Sequence, residues 1–391
     1  MAKYIKRGLE ATLTEAANNF PALVITGARQ TGKSTLVTHL FPDAKYISFD
    51  DLAIKNYAKE DPKAFLDEIK EQVILDEIQE VPELLSYIKI EIDKNREAGK
   101  FIITGSQQFS LMEGVQESLA GRAAVIELAG FSLKELGELT LKFSWEELVY
   151  RGFYPELWMN KTINSELWYG SYIKTFIDRD ITKHLRDKNI FNYSRLIELL
   201  ATRVSQELNF SSLSKELGLD LKTVQTWVSF LIRSQIIFLI PPYYKNLGKR
   251  ITKKPKLYFY DPGLVAYLTR HKTPELVRNG PMGGALYENF VISEIMKQNL
   301  VNFTNNQLFY FRENNGLELD LIIDSPTLTS CFEIKSTMTP NLGHTKNLTL
   351  FSKLFDSKTQ LNLICPAKTD LNFRGVQILN HQLINLENLL S

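Results

Sequence analysis

A run of apolar residues, Ala22-Leu-Val-Ile-Thr26, passes directly into Gly27-Ala-Arg-Gln-Thr-Gly32-Lys33-Ser34. No other stretch of the 391 residues constrains the fold as tightly. The pattern G-x-x-x-x-G-K-[ST] works only where a strand leads in and a helix leads out. Its glycines let backbone amides turn inward on phosphate groups, and the helix N-terminus adds a positive dipole. Gly27, Ala28, Arg29, Gln30, Thr31, Gly32, Lys33, Ser34 and Thr35 are therefore the candidate nucleotide-binding residues. Lys33 is placed to reach the β- and γ-phosphates of ATP, and the Ser34 hydroxyl to bind Mg2+.

The surrounding sequence supplies the rest of such a site. Ala44–Phe49, Val73–Asp76, Phe101–Thr104 and Ala124–Leu128 read as further buried strands. Helices are expected from Asp61-Pro62 to about Gln72 and from Pro82 to Glu97. Strands alternating with helices predict an open, doubly wound α/β sheet, whose ligands bind at the C-terminal strand ends. Val73-Ile-Leu-Asp76-Glu77 ends there in two acids. Asp76 is the candidate magnesium ligand and Glu77 the candidate base for the attacking water. Ser106, after the strand Phe101–Thr104, is the candidate phosphate or water sensor, with Thr104 and Gln107 as alternates. Arg122 reads either as an arginine finger for a neighbouring subunit or as a surface ion pair. Asp50 and Asp51 read as turn or cap residues.

Beyond residue 131 the strand signal fades, and 132–205 is mostly helical in pattern. A short helix after Leu208 closes at Gly218, and a second spans Leu221–Arg233. Apolar runs Ile236–Leu239 and Leu257–Tyr260 then flank a basic segment, the layout of a winged helix. Lys222, Thr223, Gln225 and Thr226 suit base reading, and Lys249, Arg250, Lys253, Lys254 and Lys256 suit a phosphate backbone. Packing between domains accounts for the same letters. A helix at Leu286–Gln298 opens a third region, followed by strands at Leu308–Arg312, Glu318–Ile323, Cys331–Lys335 and Leu361–Cys365, with a helix at Leu348–Phe355.

Composition narrows the class without choosing a partner. Hydrophobic residues make up 44% and charged residues 23%, with a formal net charge of +1, as in a soluble globular chain. No apolar run is long enough to cross a bilayer, so no membrane partner is expected and the cytoplasm is the default setting. The two cysteines, Cys331 and Cys365, exclude a disulfide framework or thiolate metal cluster.

The order Gly27–Ser34, Leu75-Asp-Glu-Ile-Gln79, Thr104-Gly-Ser106 and Leu119-Ala-Gly-Arg122 resembles prokaryotic AAA-type ATPases that carry a C-terminal domain of unknown function. Arg151-Gly-Phe-Tyr-Pro155, Tyr172 with Arg179-Asp-Ile181, Tyr258–Leu264 and Tyr287-Glu-Asn-Phe-Val291 extend the likeness over nearly the whole chain. The resemblance implies a P-loop AAA-type ATPase domain at 1–130, a helical region at 131–205, a winged helix at 206–270, and a restriction-endonuclease-like α/β domain at 280–391. It also implies homo-oligomers.

The last region carries its own constellation. Glu318-Leu-Asp320 and Glu333-Ile-Lys335 each place two polar groups on one strand face. If the strands are neighbours, Asp320 and Glu333 hold magnesium and Lys335 activates water for phosphodiester cleavage. This resembles the PD-(D/E)xK nuclease core, with Leu319 standing where the motif's name has proline. Glu288 or Glu294 would add a ligand. An alternating charged sheet face accounts for the same residues. Two whole-chain readings follow. One is an ATPase coupling nucleotide state to binding or cleavage of DNA or RNA. The other is a nucleotide-dependent signalling or assembly switch whose inactive C-terminal domain binds a protein partner. A metabolic kinase ranks last, for want of a substrate lid.

Overall fold

The structure is a computed structural model and describes residues 4–106, 115, 117–176, 190–244, 253–302, 306–313, 316–325, 328–353, 359–367 and 371–384. The chain divides into two units, Met1–Phe131 with Phe230–Ile236, and Ser132–Ser229 with Ile237–Ser391.

The first unit is built on a five-stranded sheet of β1 (Ala22–Thr26), β2 (Lys45–Ser48), β3 (Val73–Asp76), β4 (Phe101–Gly105) and β5 (Ala123–Glu127), in the order β2-β3-β4-β1-β5. Every pairing is parallel, so all C-terminal strand ends lie along one edge. The strands β1, β3 and β4 are buried at every residue, which is why they read as continuous apolar runs rather than alternating ones. Their core includes Val24, Phe49, Leu75, Ile88 and Ile103. Asp51 caps helix Leu52–Glu60 by accepting from Ala53 and Ile54 N–H, and Asp61 caps the helix opening at Pro62. Helices Pro62–Asp67 and Leu84–Lys94 are shorter at their ends than the sequence pattern suggests.

In the second unit, helices Ile190–Ala201, Phe210–Leu217 and Leu221–Arg233 precede an antiparallel ribbon of β6 (Ile237–Ile240) and β7 (Lys256–Phe259). The last residues of helix Leu221–Arg233 group with the first unit. Gly218 ends the helix before it in the left-handed conformation, φ 65°. A bridge between Glu207 and Lys256 adds a third segment beside β7. The six-stranded sheet comprises β8 (Gln307–Arg312), β9 (Glu318–Asp324), β10 (Thr329–Ile334), β11 (Thr359–Cys365), β12 (Leu371–Phe373) and β13 (Val376–Asn380), in the order β12-β13-β11-β10-β9-β8. Its exposed edge is closed by the chain itself. Tyr243 N–H donates to Tyr310 O at 2.6 Å, and Tyr310 N–H to Pro241 O at 3.1 Å. Cys331 and Cys365 are buried free thiols.

Three of the motifs met in the sequence form one buried hub in this unit. Asp261 caps helix Pro262–Leu268 through Leu264 N–H at 2.9 Å. The same carboxylate accepts from Phe153 N–H at 2.7 Å and from Tyr169 OH at 2.5 Å. Burial pushes the Asp261 carboxyl above its usual range, opposed by the nearby Lys297 charge and these donors. Gly152 stands against the hub with φ +74°, and a Cβ there would lie 1.8 Å from Tyr169 Oη and 2.7 Å from an Asp261 oxygen. Asn289 accepts from Phe259 N–H at 2.7 Å, drawing the Tyr287–Val291 motif onto β7. Tyr172 belongs to the same aromatic packing and accepts from Tyr154 OH at 2.9 Å; Arg179 to Ile181 lie outside the described residues. Gly152→Ala is expected to destabilise the fold by about 2–4 kcal/mol. Urea unfolding checks this, and a wild-type midpoint would contradict the packing described.

Candidate functional site

The loop between β1 and helix Lys33–Leu40 turns at two points that favour glycine. Gly32, at φ 88°, precedes the helix. Gly27 lies so close to the next strand's exit that a Cβ would meet Leu128 O at 2.2 Å. Gln30 also takes a left-handed conformation, φ 62°. Lys33 is buried, and its ammonium donates to Gly27 O at 2.9 Å and Ala28 O at 2.8 Å. The Thr31 hydroxyl closes the turn onto Ala28 O at 2.9 Å. Arg29 is half-buried, while Gln30 and Thr35 are exposed.

Asp76 closes the site from β3. Its carboxylate accepts from Ser34 OH at 2.8 Å, from Tyr46 OH at 2.5 Å, and from the Thr104 hydroxyl. Burial and the Asp76 carboxylate raise the Tyr46 phenol well above its ordinary value, keeping it a donor. Glu77, the next residue, is held left-handed at φ 58°, an uncommon conformation for a side-chain-bearing residue. The twist sends its carboxylate to Ser106 OH at 3.1 Å and to the Gln79 amide. Ser34, Asp76, Glu77, Thr104 and Ser106 thus meet at the C-terminal strand edge. Gln107 lies outside the described residues. Arg122 stands apart from this group, in an exposed bidentate pair with Asp93, Nε to Oδ1 at 2.6 Å and Nη2 to Oδ2 at 3.0 Å. Within this chain it is a surface ion pair.

Three participants escaped the sequence reading. Tyr46 does so because a strand tyrosine carries no motif. Arg7 reaches across from before the first strand, donating to Thr31 O at 2.9 Å and Ala129 O at 2.8 Å. Gln235 is more distant in sequence still. It is buried, at φ 54°, accepts from Ala28 N–H at 3.2 Å and donates to Glu127 at 2.9 Å. That side chain ties the start of the phosphate loop to the end of β5, so Gln235 is a positioning residue. Gln235→Ala is expected to raise KM for ATP about 3- to 10-fold with a smaller change in kcat, as for one lost buried hydrogen bond. Steady-state kinetics with unchanged KM would contradict this role.

A second cluster lies on the six-stranded sheet. Asp320 on β9 and Glu333 on β10 come together with Lys335, whose ammonium lies 2.7 Å from Glu333 Oε1 and 3.4 Å from Asp320 Oδ2. Ile334 N–H donates to the same Asp320 oxygen at 2.8 Å. Glu288 joins the group, accepting from Tyr258 OH at 2.7 Å. Glu294 does not; it accepts from Leu133 N–H at 2.9 Å and pairs with Gln298. Burial, reinforced by the Asp320 charge, pushes Glu288 up to about 7 and Glu333 up to about 8.

Lys256 corrects the reading of the basic hairpin. It is 3% exposed, with its ammonium 2.8 Å from Glu318, 3.4 Å from Glu288 and 4.0 Å from Asp320. Burial works against this charge, but Glu288, Asp320 and Glu318 together hold the ammonium above its ordinary value. It is a buried counter-charge and unavailable to a phosphate backbone. Lys249 and Arg250 lie outside the described residues. Thr223 also has another task, capping its own helix through Asp220 with N–H and OH at 2.9 and 2.6 Å. Lys222, Gln225 and Thr226 are exposed. Among the described residues, no group of three or more histidine, cysteine, aspartate or glutamate side chains is placed to hold a metal ion.

Similarity to known proteins agrees with the first of these sites and leaves the second open. Residues 19–137 match the AAA domain family. Residues 142–275 and 283–387 match two domains of unknown function, DUF8612 and DUF4143. The uncharacterized proteins Mb2031c of Mycobacterium bovis and Rv2008c of Mycobacterium tuberculosis are each 27% identical over 339 residues, covering 86% of this chain and 75% of theirs. Among solved structures, the Walker-type ATPase PABY2304 of Pyrococcus abyssi has a TM-score of 0.47 at 16% identity, covering 68% of this chain and 96% of its own. The RuvB Holliday junction branch migration motor of Thermotoga maritima scores 0.30 at 18% identity, covering 60% and 86%. The AAA domain match spans the phosphate loop and the strand end that carries Asp76 and Glu77. No described helix is long and apolar enough to cross a membrane.

Proposed function

We propose that the chain binds and hydrolyses ATP at the Gly27–Ser34 loop. The observation that carries this reading is the 2.8 Å hydrogen bond from Ser34 to Asp76, which unites the loop with the acid-bearing strand. Backbone amides of the loop and Lys33 would bind the β- and γ-phosphates. Ser34 and Asp76 form a hydroxyl–carboxylate donor set suited to Mg2+, which takes its remaining ligands from substrate phosphates and waters. The ion would neutralise charge developing on the phosphates. Glu77 takes a proton from the attacking water as its oxygen bonds to the γ-phosphorus. The bond to the ADP oxygen breaks, and ADP and phosphate leave. Ser106 and Gln79 orient the Glu77 carboxylate.

Lys33→Ala is expected to abolish ATP binding, read by fluorescent-nucleotide titration. Glu77→Gln is expected to keep binding while kcat falls about 100-fold or more. Hydrolysis at the wild-type rate in Glu77→Gln would remove it as the base.

For the output of this cycle, exposed Lys222, Gln225 and Thr226 on helix Leu221–Arg233 support nucleic-acid binding by a winged-helix-like segment. Turnover in low salt is then expected to rise when DNA or RNA is added, and to lose that stimulation in Lys222→Ala/Gln225→Ala. Turnover indifferent to both polymers would favour a nucleotide-driven switch acting on a protein partner.

A further inference from the structure

The letters of β9 and β10 imply a divalent cation held by Asp320 and Glu333, yet the groups around these carboxylates do not fit one. Lys335 already bridges them, 3.4 Å from Asp320 Oδ2 and 2.7 Å from Glu333 Oε1. The other Asp320 oxygen faces the Lys256 ammonium at 4.0 Å, and that ammonium also meets Glu288 and Glu318. A dication entering here would stand within a few ångströms of two positive charges, one of them on the buried Lys256, and its repulsion from each doubles with its own charge. The buried Glu333 Oε2 has no hydrogen-bond partner among the described residues. A single carboxylate oxygen does not make a site for an ion that wants six or more ligands.

Lys256 cannot simply swing out. Its backbone pairs with Ile240 on one side and bridges to Glu207 on the other. Leu257 N–H donates to Gln206 O at 3.0 Å, and Leu208 N–H to Pro255 O at 2.7 Å. Period-2 alternation puts Lys256 and Tyr258 on the same strand face, and both reach the same Glu288 oxygen, at 3.4 and 2.7 Å. The ammonium also lies 5.4 Å from the Tyr310 ring centroid on β8. The β6–β7 ribbon is thereby anchored to the sheet through charge as well as through the Tyr243–Tyr310 backbone pairing.

We propose that Lys256 is the resident cation of this cluster. Its ammonium, set among Glu288, Glu318 and Asp320, ties the β6–β7 ribbon to the six-stranded sheet in a metal-free joint, and the C-terminal region does not cleave phosphodiesters. Removing one member of such a buried charge group leaves the others uncompensated.

Manganese tests this on the full-length chain without nucleotide, comparing wild type with Asp320→Asn by electron paramagnetic resonance. From about 10 µM to 1 mM Mn2+, the range of weak carboxylate sites, the two proteins are expected to bind alike. Single- and double-stranded DNA and RNA are expected to survive incubation with the wild type. Lys256→Met is expected to melt about 5 °C or more lower, as for loss of a buried partner. It is also expected to gain a Mn2+ site that Lys256→Met/Asp320→Asn lacks. A manganese site or a nuclease activity in the wild type that Asp320→Asn removes would overturn the proposal. So would a Lys256→Met protein that melts like the wild type or gains no site. If Lys256→Met does not fold, the wild-type comparison decides.

Discussion

A parallel sheet brings the C-terminal ends of all its strands to one edge, and the nucleotide site depends on that constraint. β1 delivers the phosphate loop, β3 delivers Asp76 and Glu77, and β4 delivers Thr104 and Ser106, because the three are hydrogen-bonded in the order β3-β4-β1. The register Ile25↔Thr104 and Leu75↔Ile103 keeps those ends level. Asp76 then becomes the meeting point, accepting from hydroxyls of the loop helix, β2 and β4.

Buried carboxylates recur in the second unit and are stabilised in two different ways. Asp261 is surrounded by backbone N–H groups and a phenol, which fixes a helix start against the Gly152 turn. Asp320 and Glu288 are compensated by lysine ammonium groups drawn from β7 and from beyond β10. The first solution needs close backbone approach and therefore glycine. The second needs long side chains that cross between strands. The Arg151–Pro155, Tyr258–Leu264 and Tyr287–Val291 motifs belong to this structural work.

Legibility followed locality. The phosphate loop could be read because strand, glycines, lysine and helix lie within about a dozen consecutive residues of one pattern. Asp76 and Glu77 could be read because two acids closing a buried parallel strand stand at the sheet edge where ligands bind. Asp320, Glu333 and Lys335 could be read as neighbours because the spacing of two adjacent strands sets which faces meet. A lysine in a basic segment looks solvated, and only the pairing partners of Lys256 show it buried. Arg122 has two readings by sequence, and within one chain it pairs with Asp93.

By itself, the sequence determined the phosphate-loop geometry, since the loop's glycines, Lys33, Ser34 and the Asp76-Glu77 pair are placed by short-range geometry that neighbouring residues dictate. The tertiary structure alone decided which distant groups complete or neutralise each site. Gln235 reaches Ala28 from 207 positions away, and Lys256 reaches Asp320 across 64. Such contacts depend on chain packing, and charge compensation between buried groups leaves no periodic trace in the sequence.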